Sequence, residues 1–83
     1  MDKILIRLDV PSVGKSYDLF VPANLVIARL CTVLADSVSE LCNGRYGISG
    51  KEMLVLVSPN TVLVRNRTLA DYGIGDGSRL MLI

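Results

Sequence analysis

Eighty-three residues with nine Lys and Arg against eight Asp and Glu leave a formal charge of +1, too small a basic excess to mark a binder of nucleic acid or anionic lipid. Histidine is absent, which removes the usual neutral-pH base and the commonest nitrogen ligand for metals. With 51% apolar residues and a mean hydropathy of +0.47, one domain over residues 1–83 is expected, with more apolar side chains than a single small core hides.

Met1-Asp2-Lys3 runs straight into an alternating segment, so no export leader is expected there. Residues 3–9 place Ile4, Ile6 and Leu8 on one face and Lys3, Leu5, Arg7 and Asp9 on the other, the period-2 sign of a strand. Residues 11–15 supply a turn, and a second strand over 16–21 alternates Tyr17, Leu19 and Val21 with Ser16, Asp18 and Phe20. The pair reads as a hairpin. Phe20, the only Phe, is expected to pack in the core or at an edge.

Pro22-Ala23-Asn24 announces one long helix, about residues 25–42, with Asn24 as its N-cap. Ile27, Leu30, Cys31, Leu34, Val38, Leu41 and Cys42 gather on one side at the helical period. Arg29, Thr32, Asp36, Ser39 and Glu40 occupy the other side, and Val33 is expected to be partly exposed. Asn43-Gly44 suits a left-handed cap. The most apolar region, 19–35, contains Pro22, Asn24 and Arg29 and falls short of the ~20 apolar residues of a membrane span. A cytoplasmic chain without direct membrane insertion is the expectation.

Residues 52–58 are apolar on both faces, as for a strand covered on both sides or one whose outer face meets a partner. Pro59-Asn60 turns the chain into a short strand over 61–64, and the closing segment 68–83 combines a polar turn, a corner with Gly73, Gly75 and Gly77, and a final apolar strand. A hairpin, one helix and further strands predict an α+β layer, with first and last strands parallel and central if both pack on the helix.

Little here carries chemistry. Asp9, Asp18, Asp36, Asp71 and Asp76 are dispersed, without the spacing of a paired-carboxylate site. Gly73-x-Gly75-x-Gly77 precedes a strand rather than the helix a phosphate loop requires. Cys31 and Cys42 lie eleven residues apart on the helix, about 16 Å along its axis, beyond the reach of a disulfide. They read as small packing residues in a reducing compartment. No catalytic residue, cofactor or metal site is expected, and the chain does not read as an enzyme.

Thr68-Leu69-x-Asp71-Tyr72-x-Ile74, followed by Ser78-x-Leu80-x-Leu82, resembles the C-terminal half of ubiquitin-like β-grasp domains. The resemblance implies a short 3₁₀ turn shaped by Thr68 and Asp71, with Tyr72 hydrogen-bonded across it. It also implies a mixed sheet of four to five strands packed on the long helix. Unlike ubiquitin, the chain ends at Ile83 without a Gly-Gly tail, so conjugation is not expected.

Tyr17-Asp18-Leu19-x-Val21-Pro22-Ala23 and Leu69-x-Asp71-Tyr72-x-Ile74-x-Asp76-Gly77 are similar to the YukD/EsaB family. These are small ubiquitin-like proteins of the type VII (ESX/Ess) secretion systems of Gram-positive bacteria. The resemblance implies an accessory or regulatory protein that works by protein–protein contact. Its partners would be the membrane-bound FtsK/SpoIIIE-type ATPase or other membrane subunits, met in the cytoplasm or at the inner face of the membrane. The alternatives are a self-associating, dimeric module and the cytosolic domain of a larger membrane component.

Register taken from the ubiquitin-like pattern turns Leu54 and Leu56 inward. Leu5, Met53, Val55, Val57, Met81 and Ile83 then form a candidate interaction patch on the sheet face opposite the helix. Partner binding, burial in a homodimer, and a one-residue register slip that swaps the faces each account for such a patch.

Overall fold

The computed structural model describes residues 3–83; the reading of the N-terminus through Met1 and Asp2 lies outside the described residues. Strand β1 (Lys3–Val10) pairs antiparallel with β2 (Lys15–Pro22) in a register that sets Ile6 opposite Leu19 and Leu8 opposite Tyr17. Their connection is one 3₁₀ turn, Pro11–Val13, closed by Gly14 at φ 64°. Helix α1 covers Ile27–Leu41, and β3 (Leu54–Leu56), β4 (Thr61–Val62), a 3₁₀ turn (Ala70–Tyr72) and β5 (Ser78–Leu82) follow. The five-stranded sheet has the order β2-β1-β5-β3-β4. β1 and β5 are parallel and every other pair is antiparallel.

β1 and β5 sit centrally and turn large aliphatic side chains inward. Ile6, Leu8 and Val10 from β1 and Leu80 and Leu82 from β5 meet Ile27, Leu30, Cys31, Leu34, Ala35 and Val38 of α1 in one buried cluster. Burying each large aliphatic side chain contributes about 1.5–3 kcal/mol, so this layer dominates stability. Burial also pushes the Cys31 thiol up from its ordinary value, Arg65 partly opposing, and both cysteines are free thiols.

The helix departs from its expected limits. Leu25 and Val26 are not helical, and Val26 instead bridges Thr68 in extended backbone. Asn24 is therefore not the N-cap; that position belongs to Val26, which caps with no side-chain hydrogen bond. The first amides are satisfied from another part of the chain: Ile27 N–H donates to the Arg67 carbonyl at 2.8 Å and Ala28 N–H to the Arg65 carbonyl at 3.0 Å. Orphan helix amides need a partner of some kind, and here a distant loop supplies it. At the other end Leu41, expected to be buried, is exposed because α1 stops there. Asn43 and Gly44 then take φ 54° and 79°, with Gly44 N–H donating to the Ser39 carbonyl.

The turn before β5 is a reciprocal box. Thr68 N–H donates to Asp71 Oδ2 at 3.0 Å, and Asp71 N–H donates to Thr68 Oγ1 at 3.1 Å. The Tyr72 hydroxyl accepts from Val64 N–H at 2.8 Å. Gly73 and Gly77 adopt positive φ, whereas Gly75 does not.

Residues 45–53 are held by a carboxylate on the inward parity of Leu54 and Leu56. Glu52 is 4% exposed, and its Oε2 accepts from Ser49 N–H (2.7 Å), Ser49 Oγ (3.2 Å) and the Tyr46 hydroxyl (3.3 Å). Burial disfavours its charge, but these donors outweigh burial and hold its pKa below the ordinary value near 4.5. Burial and the adjacent Glu52 push Tyr46 up to about 12. Arg65 Nη1 donates to the Glu52 carbonyl, so one arginine joins this loop to the helix start.

Candidate functional site

The sheet has a second face, and the register settles what stands on it. Because β1 and β5 turn Ile6, Leu8, Leu80 and Leu82 toward α1, their alternate residues must project away from it. Leu5 is opposite Phe20, Arg7 is opposite both Asp18 and Arg79, and Asp9 is opposite both Ser16 and Met81. Met81 is in turn opposite Val55, which is opposite Val62.

All six residues of the candidate patch lie on this outer face or its rim, but they do not form one surface. Met53 and Ile83 exchange two backbone hydrogen bonds, at 2.8 and 3.0 Å, and stand exposed beside Met81 and Val62. Val55 is only 9% exposed and lies between Met81 and Val62 on the neighbouring strands. Val57 lies just past β3, its N–H bonded to the Arg79 carbonyl at 3.1 Å. Leu5 stands apart at the opposite corner.

What separates them is a polar stripe that alternation had marked but not connected. Arg7 Nε donates to Asp18 Oδ1 at 3.2 Å, Arg79 Nε to Asp9 Oδ2 at 2.7 Å, and Ser16 Oγ to Asp9 Oδ1 at 2.7 Å. The Ser16 hydroxyl and Arg79 hold Asp9 below the ordinary carboxylate range, against a smaller opposing effect of burial. Asp9 therefore stays ionised.

Two members of this face were read otherwise or missed in the sequence. Phe20, expected in the core or at an edge, lies on the edge strand β2 and outside the core, 70% exposed beside Leu5 on the outer surface. Its position opposite Tyr17 and Leu19 in the alternation was the available signal. Val62 is exposed next to Val55, and in a two-residue strand no periodicity could show it. At the end of the sheet, Ile83 and Leu82 border an open pocket of about 350 Å³ walled by Pro11, Ser12, Tyr46, Gly47 and Ser49. The site therefore offers apolar contact around a fixed charged centre.

The comparisons with known proteins agree on the architecture. Residues 5–82 match the family model described as "WXG100 protein secretion system (Wss), protein YukD". No curated protein matches the chain. Among solved structures, the ubiquitin-like domain of the Mycobacterium tuberculosis type VII secretion system protein ECCD1 superposes with a TM-score of 0.74 at 18% identity, covering 100% of this chain and 99% of that one. The ubiquitin-like domain of Plasmodium falciparum Dsk2 gives 0.69 at 15% identity, covering 99% and 100%. An Arabidopsis thaliana ubiquitin-like domain gives 0.69 at 21% identity, covering 100% and 78%. The mixed five-stranded sheet on one helix is a ubiquitin-like β-grasp.

Proposed function

The chain belongs to the YukD family of the WXG100 protein secretion system, and from that premise we propose that it serves type VII secretion as a binding module that meets the machinery through its outer sheet face. A ubiquitin-like, secretion-associated protein is what the family match establishes. The observation that supports the mode of action is the exposure of Phe20, Met53, Val62 and Ile83 around an ionised Arg–Asp stripe. Apolar side chains that the fold leaves in solvent gain by burial against a partner, and interfaces draw on Met, aromatic residues and Arg.

The proposed partners are membrane subunits of the secretion apparatus, its ATPase among them, met on the cytoplasmic side. Two free thiols suit that reducing compartment. Among the described residues, no helix is long and apolar enough to cross a membrane, and contact with membrane subunits would bring the chain to the bilayer. The role requires no catalysis.

Deleting the protein in a host that depends on this system is expected to change export of the WXG100 proteins. Met53→Asp combined with Met81→Asp should reproduce that change while leaving a cooperative fold. Normal export in both strains would sink the reading. The same exposed face would also suit a second copy of the chain. Light scattering over a concentration range separates the two, since a strict monomer removes self-association.

A further inference from the structure

The centre of the outer face holds two cations side by side. Arg7 and Arg79 are directly paired on parallel strands, and like charges at directly opposed sheet positions destabilise the pairing. Among the described residues each guanidinium is engaged through Nε alone, Arg7 by Asp18 and Arg79 by Asp9. A guanidinium has five N–H donors, so the Nη ends of both remain for a ligand, and both side chains are more than half exposed. Asp9 cannot swing out to meet them: both its oxygens are occupied, by Ser16 and Arg79, and its side chain is 13% exposed.

The surroundings narrow the ligand. Leu5 and Phe20 flank the pair on one side, and Met81 and Val57 on the other. An apolar segment docked across them would strip water from the Nη donors that Asp18 and Asp9 leave unmet, which is costly unless acceptor oxygens replace it. Carboxylates match the guanidinium fork in geometry. A small free anion gains little here, because Asp9 and Asp18 already balance the two arginines and leave no long-range attraction. We propose that the outer face recognises a partner segment carrying a carboxylate side chain between apolar residues, the carboxylate bridging Arg7 and Arg79. This rests on the outer-face docking proposed above and specifies the chemistry of the partner.

The test uses synthetic peptides with Glu between apolar residues, and the same peptides with Gln or Lys at that position. Each is titrated into the isotopically labelled protein while the Leu5, Phe20 and Met81 amides and the two Arg Nε–H signals are followed. The Glu peptide should shift these signals and bind about tenfold more tightly than its Gln counterpart. Arg7→Gln with Arg79→Gln should abolish that preference; if the double variant does not fold, Arg7→Gln alone should reduce it.

Equal binding of Glu and Gln peptides, or tighter binding of the Lys peptide to Asp18, would overturn the proposal. So would saturable shifts with inorganic phosphate alone. If no peptide moves the face while Met53→Asp with Met81→Asp still alters export, the carboxylate inference falls and docking stands. If those variants leave export untouched, both fall.

Discussion

β1 and β5 present two different chemistries on the two sides of one hydrogen-bonded backbone. Toward α1 stand Ile6, Leu8, Val10, Leu80 and Leu82, none more than 1% exposed. Away from it stand Leu5, Arg7, Asp9, Arg79 and Met81, with charge in the middle and apolar groups around it. The backbone hydrogen bonds serve both faces equally, so the difference lies in the side chains alone. The inner face supplies the stability, which leaves the outer face free to be shaped for recognition. Loss of function without loss of stability is therefore the signature to look for outside, and the reverse inside.

The sharpest break of this contrast is Leu80→Ala. Removing that buried side chain should cost about 2–5 kcal/mol, a large share of what a domain of this size has. Chemical denaturation should show a much earlier midpoint, and a change below about 1 kcal/mol would show that the inner face is not the stabilising one.

Glu52 tests whether a polar group can belong to the inner layer. Glu52→Ala leaves Ser49 N–H and the Tyr46 hydroxyl without their acceptor, at about 1–3 kcal/mol. The pH dependence follows from the lowered pKa. Because the folded value lies below the unfolded one, the stabilisation is complete above about 4.5 and fades as pH falls through the folded value. Glu52→Gln should flatten that part of the stability–pH curve; an unchanged slope would assign the acid loss to other carboxylates such as Asp9, whose shift has the same sign.

Asp71→Ala removes half of the reciprocal box before β5 and should cost about 1 kcal/mol, as loss of a comparable cap does. Hydrogen exchange at Thr68 should rise with it. Smallest of all, Arg7→Gln breaks an exposed ion pair and should change stability by less than about 1 kcal/mol. Together with lost preference for the Glu peptide, that result would complete the contrast.

Much of the fold was legible in the residues. The alternation in β1 and β2, the apolar stripe of α1 and the motif around Thr68, Asp71 and Tyr72 correspond to elements whose pattern and partners are close in sequence. The candidate site was legible only in part. Its six residues could be placed on a face by counting in twos, but their separation by Arg7 and Arg79 depends on which strand lies beside which. For Phe20 the edge was legible as one of two alternatives, but its exposure beside Leu5 was not, because a lone aromatic on a strand reads as packing until the strand's partner register is known. Asn24 was a sound cap by residue type and lost the position to backbone carbonyls from residues 65 and 67, forty positions away.

By itself the amino-acid sequence determined the alternation that gives each strand its two faces, the helical stripe and the turn chemistry before β5, because these depend on neighbours within a few residues. Tertiary structure alone decided three things. It buried Glu52 under Ser49 and Tyr46, it closed the start of α1 with a distant loop, and it set Arg7 beside Arg79. The last two bring together groups that lie far apart in the chain, whereas Glu52 meets donors three and six residues away and needs the rest of the fold only to cover it.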